Sequence, residues 1–170
     1  MAVYRKPLNP CFLLKISSNQ TNPVSKVTSA STQRQSADWK KDPMELQYLE
    51  FDCSEDTEGV VCWDALAQPA ASHTAALLRE VSQLLAWASR FGPQGPGPLD
   101  EGTDWDFDLQ VQLHRAHTMQ STPAQAHWQA EQQTLNILPT PGPEDRVELS
   151  LSLSGTPAFA QALREHWNAP

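Results

Sequence analysis

The most constraining feature of this sequence is the strict alternation of apolar and polar residues across Asp104–His114. Successive side chains of a β-strand point to opposite faces, so this pattern predicts a strand with one face in a core and the other in water or against a partner. Arg146–Ser154 shows the same alternation. Strands with one polar face are typical of an antiparallel sheet that is covered on one side only.

Two further segments predict helices on the covered side. Thr74–Phe91 carries an apolar stripe at helical spacing, formed by Leu77, Leu78, Val81, Leu84, Leu85 and Ala88. The last helix begins at Pro157, which suits a first helical position, and Thr156 before it is a capping residue. Phe159, Leu163 and Trp167 give that helix its inner face.

The remaining segments complete the predicted fold. Glu45–Cys53 and Val60–Ala67 predict two strands joined by a polar loop, which together form a hairpin. Pro123–Glu131 is compatible with a short helix, and Thr134–Leu138 with a short strand. We therefore predict an α+β two-layer sandwich, mainly an antiparallel sheet of four to five strands with two helices on one face. The predicted chain order is β-β-α-β-(β)-β-α.

Charge divides the chain into two unlike parts. Residues 1–43 contain all five Lys and have a net charge of +5, whereas residues 44–170 contain five Arg against 18 acids, a net charge of −13. The first part is rich in Ser, Thr and Asn, so we expect a disordered basic tail. The abrupt change at Met44 supports the hypothesis that 1–43 is an upstream extension of the reading frame. We expect 44–170 to be a single acidic domain, and its Lys-free, Ala-, Leu- and Pro-rich composition is associated with GC-rich bacterial coding sequences.

Composition and motifs exclude several classes of function. No stretch of the sequence approaches the roughly 18 consecutive apolar residues of a membrane helix. The apolar run Cys11–Leu14 is too short for the hydrophobic core of a secretory signal. We therefore expect a cytoplasmic protein. The acidic balance argues against direct nucleic-acid binding, which needs a basic patch. Gly-x-Ser-x-Gly, Walker A and GxGxxG motifs are absent from the sequence.

The strongest candidate site is the stripe of Asp104, Asp106 and Asp108. On a strand these side chains would point the same way about 7 Å apart and repel by only about 0.6 kcal/mol per neighbouring pair in water. Three interpretations remain open: a solvated face, a docking face for a basic partner, and a site for Mg²⁺ or Ca²⁺. The metal site would need oxygen ligands from other segments as well.

A second acidic cluster surrounds the loop of the first hairpin: Asp52, Glu55, Asp56 and Glu58. Its spacing does not match an EF-hand loop, and a solvated turn explains it. If this loop met the Asp stripe at one end of the sheet, Glu55 and Asp56 would join the stripe as candidate metal ligands.

Cysteine and histidine add little to these candidates. Cys53 and Cys62 lie near the ends of the two hairpin strands, which is compatible with a disulfide or with two buried thiols. His114 and His117 have neither an HExxH context nor a third ligand at a diagnostic spacing.

The leading expectation is a small non-enzymatic binding protein in which Asp104, Asp106 and Asp108 contact a basic partner. That partner would be a basic protein, including a nucleic-acid-binding protein whose DNA the acidic face imitates. The alternative is a divalent-metal-dependent hydrolase or phosphotransferase that uses the same stripe as ligands. A third interpretation, a small-molecule pocket between the helices and the sheet, has no support in the sequence.

Overall fold

The computed structural model describes residues 45–118, 120–167 and 169, and within them one antiparallel sheet organises the chain. The sheet has six strands in the order β1-β2-β6-β3-β4-β5, and every neighbouring pair is antiparallel. The strands are β1 (Phe51–Glu55), β2 (Val61–Ala67), β3 (Trp105–His114), β4 (Ser121–Gln129), β5 (Thr134–Leu138) and β6 (Arg146–Gly155).

Two helices pack on one face of this sheet. They are α1 (Thr74–Ala88), which follows β2, and α2 (Pro157–Trp167), which follows β6. Five of the six residues of the apolar stripe predicted for α1 are buried and join the inward-facing residues of the strands in one core, whereas Leu78 is half-buried against it. The α+β sandwich predicted from the sequence is consistent with this arrangement.

Three large aromatic side chains of the core meet where α2 packs on the sheet. The rings of Trp105 and Phe159 stack with centroids 5.5 Å apart and planes 5° apart, and Trp63 meets Phe159 edge-on at 6.3 Å. All three side chains are fully buried. Gly155, the last residue of β6, lies directly beneath the Phe159 ring, where an added Cβ would come within 2.2 Å of ring carbon Cδ1.

Side chains of helix α1 accept hydrogen bonds from both edges of the sheet, namely from the segment before β1 and from β5. Its Glu80 carboxylate is buried and accepts hydrogen bonds from the backbone amides of Gln47, Tyr48 and Leu49, at 2.7, 3.0 and 2.9 Å. These residues lead into β1, at one edge of the sheet. Two residues further along the helix, Ser82 Oγ accepts a hydrogen bond from an amide of β5, at the opposite edge.

The structure corrects the predicted strand count and one predicted helix. The sheet has six strands rather than four to five, and four strands rather than two or three lie between the helices along the chain. The short helix that Pro123–Glu131 was compatible with does not form, because residues up to Gln129 belong to β4, which pairs with strands on both sides. The first strand begins at Phe51 rather than Glu45 and runs on to Glu55.

The predicted basic tail, 1–43, lies outside the described residues. In the part of the chain that is described, no helix is long and apolar enough to cross a membrane.

Candidate interaction face

The sheet presents one face to the helices and the other away from them, and we call the second the open face. The register places four of its residues side by side on four neighbouring strands. Asp52 on β1 is opposite Asp64 on β2, which is opposite Ser152 on β6, which is opposite Asp108 on β3. We call these four residues the acidic row. It brings together three carboxylates that are far apart in the sequence.

Hydrogen bonds within the sheet orient two of these carboxylates. Ser152 Oγ donates to Asp64 Oδ1, and Gln110 Nε2 donates to Asp108 Oδ2 at 2.9 Å. Asp52 and Asp64 are exposed, and Asp108 is half-buried. Among the described residues, none of the three forms an ion pair with an arginine. Within the described part of the chain, the printed ion pairs involve other carboxylates, those of Asp145, Glu144 and Glu148.

Small side chains on the central strand separate the two acidic flanks. Ser150, Ser152 and Ser154 of β6 all point to the open face, because they alternate with the buried leucines of that strand. Ser154 is itself buried, so the accessible part of this strip begins at Ser152. The serines of β6 thus lie between the carboxylates of β2 and β3 on this face, and Ser152 is hydrogen-bonded to one of them.

Asp106 lies in the next row, opposite Ser154, and is half-buried. Its Oδ1 accepts a hydrogen bond from the Phe107 amide at 2.9 Å. Asp106 and Asp108 therefore share the open face of β3, as the alternation predicts.

Asp104 does not continue the stripe. It lies just before β3, and its carboxylate contacts the backbone at Gly92, where an added Cβ would be 2.4 Å from Asp104 Oδ2. Its carbonyl oxygen also accepts a hydrogen bond from the Thr156 amide at 2.9 Å. Asp104 thus connects the loop after α1 to the start of α2, and only two members of the predicted stripe lie on the open face.

One large apolar side chain lies on the same face. Leu66 of β2 is 67% exposed and is paired with Ser150 of β6, one row along from Asp64 and Ser152. The only other large hydrophobic residue with comparable exposure among the described residues is Leu138 on β5. An exposed leucine beside a row of carboxylates gives the face both apolar and ionic contacts for a partner.

The far end of the open face is less acidic. His114 Nε2 lies 3.4 Å from Glu148 Oε2 and 3.4 Å from the side-chain Nε2 of Gln68. Arg146 is directly opposite His114. His117 does not join this group, since its Nε2 lies 3.9 Å from a carboxylate oxygen of Glu144 in a different loop.

The loop acids Glu55 and Asp56 do not meet the stripe. Glu55 and Trp105 occupy the same transverse row of the sheet but lie three strands apart, a separation of about 14 Å at normal strand spacing. Asp56 Oδ1 accepts hydrogen bonds from the amides of Glu58 and Val60, so this carboxylate stabilises its own turn. Across 45–118, 120–167 and 169, no three His, Cys, Asp or Glu side chains are grouped so that they could hold a metal ion.

Cys53 and Cys62 are not joined to each other. Ser54, rather than Cys53, is opposite Cys62, so the two cysteines point to opposite faces of the sheet. Cys53 is a free, exposed thiol on the helix side, 3.7 Å from Nη2 of Arg164.

Two open grooves lie beside β5, at the edge of the helix layer. Their volumes are about 380 and 620 Å³, and Leu78, Leu135 and Asn136 contribute to both. They are shallow clefts at the periphery rather than a pocket between the helices and the centre of the sheet. None of the carboxylates of the open face lines them.

Sequence reasoning missed Asp64 and Leu66 as members of the candidate site. A signal for both was present, because Val61, Trp63, Ala65 and Ala67 alternate and leave the intervening side chains of β2 on the other face. The pairing of Asp64 with Asp52 on one side and Ser152 on the other depends on strand register, which the sequence does not show.

Comparisons with protein-family models, with curated proteins and with solved structures find no match for this chain. The geometry of the open face therefore carries the functional argument alone.

Proposed function

We propose that this protein is a non-enzymatic binding protein whose open face docks a basic partner protein. The single observation that carries the proposal is the acidic row, in which Asp52, Asp64 and Asp108 share one exposed surface without an arginine partner among the described residues. Among the residues that the structure describes, no three His, Cys, Asp or Glu side chains are grouped so that they could hold a metal ion.

The charge of residues 44–170 supports the same proposal. Five Arg against 18 acids leave a net charge of −13, and every Lys lies before Met44. A surface of one sign attracts partners of the opposite sign and accelerates their encounter. It also repels nucleic acid, so the partner is a cationic protein surface rather than a nucleic acid.

A titration with a cationic probe tests the proposal. The full chain is added to a fluorescently labelled oligo-arginine peptide at low and at high salt, and binding is followed by anisotropy. We expect binding that weakens strongly as salt rises, because surface charges are screened within about 8 Å at 0.15 M ionic strength.

Paired variants locate the binding surface. Asp64→Asn with Asp108→Asn removes two charges from the acidic row and keeps the shape of both side chains and one acceptor oxygen on each. We expect affinity at low salt to fall about three- to tenfold, since each exposed charge pair contributes roughly 0.2–1 kcal/mol. Glu131→Gln with Glu165→Gln removes the same charge from exposed positions in the β4–β5 turn and on α2. Equal losses in the two double variants would show that net charge alone, and not the open face, attracts the peptide.

A further inference from the structure

Strand β5 ends the sheet on the side away from the acidic row, and its only strand partner is β4. We propose that two copies of this chain pair through β5 in antiparallel fashion, so that their sheets join across a two-fold axis. This inference is independent of the proposed function, because β5 carries none of the residues of the acidic row.

The outer side of β5 has backbone groups without a partner. The Leu135 amide donates to Ser82 Oγ of α1 at 3.1 Å, so this amide does not pair with β4. Since successive residues of a strand direct their backbone groups to opposite sides, those of Leu135 and Ile137 point away from β4. The hydrogen bonds among the described residues leave the outward N–H and C=O of Ile137 unused. A donor and an acceptor in this arrangement fit another extended strand.

This edge is complementary to itself. Opposite residues of a hydrogen-bonded antiparallel pair exchange two bonds, so a two-fold axis beside Ile137 pairs its N–H and C=O with those of Ile137 in the second copy. Pro139 of one copy then lies opposite Leu135 of the other. That pair leaves no amide hydrogen without an acceptor, because proline has none and the Leu135 amide already donates to Ser82.

Apolar side chains lie on both faces of this edge. Leu78 of α1 and Ile137 line the larger of the two grooves beside β5, and Leu138 on the opposite face of the strand is 53% exposed. Pairing would bring Ile137 of the two copies side by side, with Leu78 of each α1 next to them. The apolar surface covered in this way would favour association.

Charge identifies a second copy as the occupant. Residues 120–143 contain one acid, Glu131, and no Lys or Arg, whereas residues 44–170 contain 18 acids. Two copies with a net charge of −8 each repel one another, and they can approach with least repulsion at this uncharged hairpin. The opposite edge strand, β1, carries Asp52 and Glu55 and would repel a second copy. An edge without charge selects neither a cationic nor an anionic partner, whereas its own sequence supplies the matching strand.

Sedimentation equilibrium of the full chain over a series of concentrations tests the proposal. We expect a reversible monomer–dimer equilibrium with a Kd on the order of 10–100 µM, since one strand edge makes a small interface. The dimer should become tighter as salt rises, because screening weakens the repulsion between two negative chains. This salt dependence is opposite to the one expected for a basic partner on the open face.

Charge exchange at the seam tests the register. Leu138 of one copy would lie opposite Asn136 of the other, and both side chains are exposed, so their replacement should leave the fold intact. Asn136→Asp with Leu138→Asp would place like charges opposite each other and should weaken the dimer at least tenfold. Asn136→Lys with Leu138→Lys should do the same.

An equimolar mixture of the two double variants should dimerise again, because Asp then lies opposite Lys. Leu66→Asp, at the other strongly exposed leucine, is the matched control and should leave dimerisation unchanged. A chain that stays monomeric up to about 1 mM, or a dimer that the Asp variant does not weaken, would overturn the proposal. Failure of the mixture to dimerise, or a dimer that dissociates as salt rises, would overturn it as well.

Discussion

The carboxylate of Glu80 lies 2.9 Å from the amide nitrogen of Leu49, and both residues are buried. Two neighbouring amides, those of Gln47 and Tyr48, donate to the same carboxylate. This group fastens the segment before β1 to α1. Since β1 carries Asp52, the contact also fixes the edge strand that ends the acidic row.

Replacing Glu80 by Ala should destabilise the protein by about 2–4 kcal/mol, because three backbone donors lose their acceptor and at least one is fully buried. Glu80→Gln should cost less, since the side-chain amide keeps one oxygen to accept hydrogen bonds. Urea unfolding followed by tryptophan fluorescence measures both changes. Glu165→Ala, at an exposed position of α2, is the control and should change stability by less than about 0.5 kcal/mol. A similarly small effect of Glu80→Ala would contradict the role assigned to this contact.

Gly155 should not accept a side chain. An added Cβ would lie 2.2 Å from Cδ1 of Phe159, whose ring is stacked on Trp105 in the core. Gly155→Ala should therefore cost about 1–3 kcal/mol, as expected for an overpacked core. The cost should be smaller in a Phe159→Leu background, where the ring is absent. Purely additive effects of the two substitutions in urea unfolding would show that the two residues are not in conflict.

Asp145 should make stability depend on acid pH. Its carboxylate accepts hydrogen bonds from the amides of Gly142 and Ala116 and from Arg115 Nη1, and these contacts hold its pKa below the usual 3.8. A carboxylate whose pKa is lowered by folding contributes stability above the unfolded-state pKa and loses it as pH falls through the folded-state pKa. Asp145→Asn should thus lower the urea midpoint at pH 7 more than at pH 2.5.

A control variant separates the effect of Asp145 from that of removing a carboxylate elsewhere. Glu131→Gln, at an exposed position in the β4–β5 turn, should leave the difference between the two pH values as it is in the parent chain. If Asp145→Asn lowered the midpoint equally at both pH values, the hydrogen bonds to its ionised form would not be the cause.

Divalent cations should not stabilise the protein specifically. Within the described part of the chain no three potential ligands are grouped, and Asp104, Glu55 and Asp56 each point away from the Asp106–Asp108 pair. We expect thermal melts with millimolar Mg²⁺, Mn²⁺ or Ca²⁺ to match those in NaCl of equal ionic strength. A shift of several degrees that Asp106→Asn abolishes would instead indicate a bound metal, since a ligand of the native state raises its melting temperature.

Much of the fold could be predicted because the periodicity of several segments is strong. The strands at Trp105–His114 and Arg146–Gly155 alternate strictly, and the stripe of α1 has helical spacing, so each was predicted to within a few residues. Local pattern sufficed there because one face of each element enters the core.

The segment Ser121–Gln129 shows where local pattern fails. It contains Ala, Gln and a proline, which favour a helix start over a strand, but pairing with β3 and β5 overrides that preference. Pro123 is tolerated because its nitrogen points away from β3. The Arg115 amide donates to the Gln120 carbonyl, and hydrogen-bonded pairs alternate with non-hydrogen-bonded pairs along an antiparallel ladder. The pair of Gln112 and Pro123 is therefore a non-hydrogen-bonded one. On that side the pairing with β5 begins only at Gln125, so no ladder bond is lost.

The candidate site was only partly visible in the sequence for a related reason. Alternation placed Asp106 and Asp108 on one face. Asp52 and Asp64 come near them only because β6 lies between β2 and β3 in the sheet, and this strand order cannot be read from the sequence. Asp104 does not belong to the stripe, because β3 begins at Trp105 and the Asp104 carboxylate lies against Gly92 in the loop after α1.

The central claim is that a basic partner docks on the open face, and NMR mapping tests it most directly. A ¹⁵N-labelled full chain is titrated with the oligo-arginine peptide, and amide shifts are followed at low salt. We predict the largest changes in β2, β6 and the first half of β3, around Asp64, Ser152 and Asp108, with little change along α1 and α2. Shifts concentrated on the helices or on the grooves beside β5, or spread evenly over the molecule, would contradict the account.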